Sequence, residues 1–135
     1  MQAKNEQKFM LFLDYDGAPH LNRNWYTYTY KNHIWERNLE MVTIEAQRLM
    51  RLCPKLGGKA LILKSSPTGS YHVIFPDAQL TWNEVEALLA EAKCHKGYKH
   101  FSLLIGDQTL RISAKPKTHI HPPYLVKIVE AKNNV

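Results

Sequence analysis

Lys59-Ala60-Leu61-Ile62-Leu63-Lys64-Ser65 and Ser70-Tyr71-His72-Val73-Ile74-Phe75 lie on either side of Ser66-Pro67-Thr68-Gly69. The two flanks are rich in residues that favour strands. The four residues between them carry the proline and glycine of a tight turn. The segment therefore reads as a β-hairpin, which commits this part of the chain to antiparallel pairing. Upstream, Phe9-Met10-Leu11-Phe12-Leu13 is a continuous apolar run that reads as a buried central strand, covering about Lys8 to Asp14. Between them, Leu39, Val42, Ala46, Leu49 and Cys53 recur at helical steps, and Pro54 with Gly57-Gly58 stops that helix.

Downstream of the hairpin, Thr81 and Glu84 have the spacing of a capping box, and Val85, Leu88, Leu89 and Ala92 line one face of the helix that follows. Phe101 to Ile105 reads as another buried strand, Leu110 to Ser113 as its hairpin partner and Tyr124 to Val129 as a late strand. Trp25 to Tyr30 alternates so that Tyr26, Tyr28 and Tyr30 share a face if extended, as in an added edge strand. The expected fold is α+β, a ferredoxin/RRM-like β-α-β-β-α-β core with additional antiparallel strands. In the usual order of that sheet the first strand lies between the third and the fourth.

The 135 residues form a single expected domain, with 44% apolar and 22% charged residues, as in ordinary globular proteins. No apolar run approaches a membrane span, and the polar start is unlike a signal peptide. Cys53 and Cys94 are far apart and outside any CxxC pattern, which suits a reducing, cytoplasmic setting and excludes a disulfide scaffold or zinc ribbon. A net charge of +6 points to a polyanionic partner.

Asp14 and Asp16 stand at i and i+2, so on a strand they share a face and repel, a situation that a divalent cation relieves. Together with the expected fold, Asp14-Tyr15-Asp16, Ser70-Tyr71-His72 and Gly106-Asp107 would converge at neighbouring strand ends, with Asp16, His72 and Asp107 facing one another. In this order the three segments resemble the motifs of the archaeo-eukaryotic primase (primase-polymerase) superfamily: a hydrophobic strand ending in Asp-x-Asp, a Ser-x-His, and a later acid. Lys64 to Val73 is also similar to the glycine-containing hairpin ahead of that family's histidine.

The resemblance implies template-directed nucleotidyl transfer, in primer synthesis or extension, by a two-metal mechanism. Asp14, Asp16 and Asp107 would hold two Mg²⁺ or Mn²⁺ ions, and Ser70 and His72 would contact the triphosphate. Lys64 and Arg111 are added here as phosphate-neutralising cations, from charge and expected proximity. The implied partners are nucleoside triphosphates and a single-stranded DNA template. The family's zinc-binding element has no ligand set here, so a helicase or other replication protein would supply template binding. So compact a form suits a viral or plasmid replicon.

Two other classes compete. Phe12 to Gly17 is similar to the nucleophile loop of haloacid-dehalogenase-type phosphatases, with Asp14 attacking a phosphoryl group and Asp16 protonating the leaving group. That family needs a parallel sheet, Ala18 stands where it usually has threonine, and Gln108 to Ser113 contain no acid. His119-Ile120-His121 and Tyr124-x-x-Lys127 mimic a rolling-circle nuclease, but they lie too close together for its separate tyrosine helix. A non-catalytic nucleic-acid-binding module, or a degenerate primase subunit, would keep the fold without the chemistry. The tyrosine stripe and the basic section from Lys115 to Lys127 would then be its contact surfaces.

Overall fold

The computed structural model describes residues 7–15, 34–66, 70–94, 96–108 and 122–131. Asp16, the tyrosine stripe, Leu110 to Ser113, Arg111 and the His119-Ile120-His121 motif lie outside the described residues. The chain builds β1 (Phe9–Tyr15), α1 (Ile34–Leu52), a 3₁₀ turn (Pro54–Leu56), β2 (Lys59–Ser66), β3 (Ser70–Leu80), α2 (Trp82–Glu91), α3 (Lys96–Ile105) and β4 (Tyr124–Glu130). The four strands make one antiparallel sheet in the order β1-β3-β2-β4.

The hairpin forms as expected, with β2 against β3. β1 takes the other side of β3 and therefore runs parallel to β2. This is the split β-α-β arrangement, with α1 as the crossover. Alternation puts Leu11, Leu13 and Tyr15 of β1, Tyr71, Val73 and Phe75 of β3, and Ala60 and Ile62 of β2 in the core. Helix α1 adds Val42, Ala46, Leu49 and Met50, and α2 adds Trp82, Val85, Leu88 and Leu89. Burying each of the larger side chains contributes about 1.5–3 kcal/mol, so this shared core outweighs any single polar contact described below. Gly57 turns the chain from the 3₁₀ segment into β2 at a φ of 89°, where a Cβ would come within 2.8 Å of the Cβ of Asp77. Only glycine meets both demands.

β3 runs five residues past Phe75, where the hairpin reading ended. Pro76 cannot donate to a ladder, and the register with β1 shifts there, from Leu11↔Phe75 to Phe9↔Leu80. Helix α2 begins with the expected capping box. Thr81 Oγ1 accepts from the Glu84 N–H at 3.2 Å, and Glu84 Oε1 accepts from the Thr81 N–H at 2.9 Å.

The expected strand from Phe101 to Ile105 is instead the second half of α3. A five-residue, mostly apolar segment fits a strand or a helix equally well. Here the inward residues are Tyr98 and Ser102, one helical turn apart, while Phe101, Leu103, Leu104 and Ile105 are exposed. Gly106, at a φ of 67°, closes the helix, its N–H bonding the Ser102 carbonyl at 2.9 Å.

The sheet order is corrected with it, and it is not the simple ferredoxin order. β1 does not lie between the third and fourth strands. The fourth strand, β4, pairs with β2 on the opposite edge. On the flank of β1 where a strand was expected, Gln108 Oε1 accepts from the Phe12 N–H at 2.8 Å and Gln108 Nε2 donates to the Met10 carbonyl at 2.9 Å. The Tyr98 hydroxyl donates to the Phe12 carbonyl at 2.7 Å. One side-chain amide and one phenol thus make the bonds that a neighbouring strand would make.

Gln108→Ala should lower the unfolding free energy in urea by about 1–3 kcal/mol, each bond being worth about 1 kcal/mol, and the Phe12 amide should exchange faster. The Glu84 carboxyl is held down at about 2, first by the Lys55 ammonium and next by the Thr81 N–H, against an ordinary 4.5. A lowered acid stabilises the fold above its unfolded pKa and loses that contribution as pH falls through its folded pKa. The Tm difference between the wild type and Glu84→Gln should accordingly be full above about pH 4.5 and close towards about pH 2.

Candidate functional site

Asp14 is the penultimate residue of β1, and its cross-strand partner in β3 is His72. Directly paired residues point to one face of a sheet, so the acid and the imidazole meet on the face opposite the helices. His72 Nε2 lies 3.7 Å from Asp14 Oδ1, beyond hydrogen-bond length but close enough for strong attraction when the ring is protonated. The His72 side chain is 8% exposed and that of Asp14 is 27%. The pair therefore has a sheltered imidazole and a more reachable carboxyl group.

Ser70 stands two residues before His72 on the same strand and is buried, which aligns it with the same face. On the far side of His72 come Leu63 of β2 and then Leu125 of β4. The next row is Phe12, Ile74, Leu61 and Ile128. Asp14, His72 and Ser70 thus stand beside an apolar sheet face.

The other expected site residues fall differently. Lys64 pairs with Tyr71 and Tyr124, so it belongs to the helix-side face, across the sheet from His72. Asp107 is not on a strand. It is exposed in the turn after α3, where its Oδ1 accepts from the Gln108 N–H at 2.8 Å. Because Gln108 is bonded to β1, Asp107 still arrives at the flank of the strand that carries Asp14. Asp16 and Arg111 lie outside the described residues.

Tyr98 reports on that flank. Burial pushes its phenol far above the usual range, and the charges of Cys94, Asp14 and Asp107 push it the same way. Both acids are within electrostatic reach of one phenol. Burial likewise raises the Cys94 thiol to about 11, opposed by Lys99 and assisted by Asp14 and Glu45.

Behind Asp14, on the helix side, lies a group the sequence reading passed over. The Tyr15 hydroxyl donates to Glu45 Oε2 at 3.1 Å. The Lys93 N–H donates to the same oxygen, and Arg48 Nε donates to Glu45 Oε1 at 2.8 Å. Arg48 also reaches Glu91 Oε1 at 2.6 Å and the Glu91 carbonyl at 3.2 Å. Burial, and after it the Glu45 charge, keeps the Tyr15 phenol well above its ordinary pKa, so it is the donor. A signal was present in the sequence: Glu45 occupies an apolar-face position between Val42, Ala46 and Leu49. Tyr98 and Gln108 carried no comparable mark.

Comparison with protein-family models, curated proteins and solved structures gave no match. Among the described residues no group of three or more His, Cys, Asp or Glu side chains converges as a metal site. Asp14 offers a hard carboxylate donor of the kind Mg²⁺ and Mn²⁺ take, with an imidazole nitrogen beside it. No described helix is long and apolar enough to cross a membrane.

A thiol held at about 11 and buried reacts slowly. In folded protein near neutral pH, Ellman's reagent should modify half-buried Cys53 first. Cys94 should follow about a hundredfold more slowly, or only on unfolding.

Proposed function

We propose that this chain is a small primase-polymerase-type nucleotidyltransferase, its core RRM-like in the split β-α-β half and modified at the fourth strand. One observation carries the reading. Asp14 and His72, drawn from two separate motifs, are direct cross-strand partners 3.7 Å apart. Ser70 shares their face, and Asp107 reaches the flank of the same strand.

The substrates are a nucleoside triphosphate and a primer or initiating nucleotide on single-stranded DNA. The 3′-oxygen forms a bond to the α-phosphorus, the bond from that phosphorus to the bridging oxygen breaks, and pyrophosphate leaves. The hydroxyl proton passes to solvent. Asp14, Asp16 and Asp107 are the proposed ligands of two Mg²⁺ or Mn²⁺ ions, which when bound activate the hydroxyl and neutralise the leaving group.

His72 and Ser70 donate to the phosphates from the strand beside Asp14. The imidazole is the more sheltered of the pair, while the more exposed acid faces the incoming groups. Arg111 supplies further positive charge. Lys64, on the opposite face, is assigned no part. Template contacts come from another replication protein such as a helicase, and the setting is cytoplasmic. The antiparallel sheet favours this reading over a haloacid-dehalogenase-type phosphatase, whose chemistry sits on a parallel sheet.

The test is incorporation of labelled nucleotide on primed and unprimed single-stranded DNA with Mg²⁺ or Mn²⁺. Asp14→Ala and Asp16→Ala should each lower incorporation by about 10²–10³-fold or more. His72→Ala should raise the nucleotide KM by about tenfold, equivalent to about 1.4 kcal/mol of binding. Full activity in Asp14→Ala would contradict the site. A folded wild type that binds single-stranded DNA without incorporating nucleotide would be the non-catalytic module instead.

A further inference from the structure

Tyr15 follows Asp14 in the first motif, and alternation turns its side chain away from that of Asp14, into the core. There it ends on Glu45, a buried carboxylate with an 8% exposed side chain. Glu45 gathers Tyr15 from the end of β1, Arg48 from its own helix and the Lys93 N–H from the link between α2 and α3. Arg48 extends the group to Glu91 at the end of α2.

A buried charged group of this kind is no better for stability than a well-packed apolar one of the same volume. Stability alone therefore gives no reason for placing it here. Its location gives one. Tyr15↔Tyr71 is the last described pair at this end of β1, one residue beyond Asp14↔His72. A strand end is where pairing frays first. An anchor on Tyr15 fixes the backbone on both sides of its Cα, and hence the direction in which the Asp14 side chain leaves the sheet.

We propose that Tyr15 is a positioning residue, its hydroxyl held by the Glu45–Arg48 pair so that Asp14 stays aimed at His72. The inference rests on the nucleotidyl-transfer reading for its consequence in rate, though not for its consequence in geometry. Tyr15→Phe removes one hydroxyl and keeps the ring in the core. Glu45→Gln keeps the shape and removes the charge. Thr81→Ala, at the far end of α2, serves as a control that loses Tm without touching the group.

Two measurements are made on each variant: kcat and KM for nucleotide incorporation, and the Hα–Hβ couplings of Asp14 by NMR. Tyr15→Phe and Glu45→Gln should lower kcat about ten- to hundredfold, as expected of a misplaced reacting group, with the nucleotide KM within about twofold. In both, the Asp14 couplings should move from those of one rotamer to averaged values. Thr81→Ala should do neither. If Tyr15→Phe matches Thr81→Ala in kcat and in couplings, the positioning role is overturned. If the wild type incorporates no nucleotide, the functional reading fails by itself and the couplings decide. Averaging in Tyr15→Phe then upholds the positioning of Asp14, and unchanged couplings overturn it.

Discussion

The register of β1 on β3 is the constraint on which the rest depends. With Leu13 opposite Val73 and Leu11 opposite Phe75, the odd residues of β1 enter the core and the even ones face the other way. A slip of one residue would bury Asp14 and expose Leu13, exchanging a core leucine for a charge. Losing such a leucine typically costs about 2–5 kcal/mol, before any penalty for burying the acid. The hydrophobic core therefore enforces the alternation that puts Asp14 on the same face as His72. The juxtaposition of Asp14 and His72 is thus a by-product of core packing.

Much of this was legible in the chain, and the reasons are physical. The hairpin carries a turn whose residue types have few other uses, and the Thr81–Glu84 box announces its helix through reciprocal bonds between neighbours. Local chemistry suffices for both. That the strand of the first motif lies beside the strand of His72 is long-range, yet it followed once the split β-α-β order was recognised. The residue opposite His72 is Asp14, whereas the sequence pointed to Asp16. Phe101 to Ile105 was different. Its apolar run is too short to reveal a period, and what makes it helical is tertiary: Tyr98 and Gln108 bonding the flank of β1, with Gly106 free to take a positive φ. The face of Lys64 was equally hidden. It depends on which residue of β3 lies opposite, and a turn of that length leaves the register open until the core chooses it.

The treatment of the β1 flank links fold to site. A fourth strand there would have presented Asp107 from a rigid element. Instead a helix packs against that flank, Gln108 bonds the strand, and Asp107 precedes it in an exposed turn. The first acid is thus held by sheet and core, while the third rides on a turn tied down by one glutamine.

The most direct measurement is an NMR titration of the isotope-labelled chain with a nucleoside triphosphate in the presence of Mg²⁺. If Asp14, Ser70 and His72 form a nucleotide site, their resonances should shift saturably, with those of Leu63 and Phe12 on the same face. The core residues Val42 and Val85 should stay still. Shifts confined to the helix side, or none at nucleotide concentrations that saturate ordinary polymerases, would contradict it.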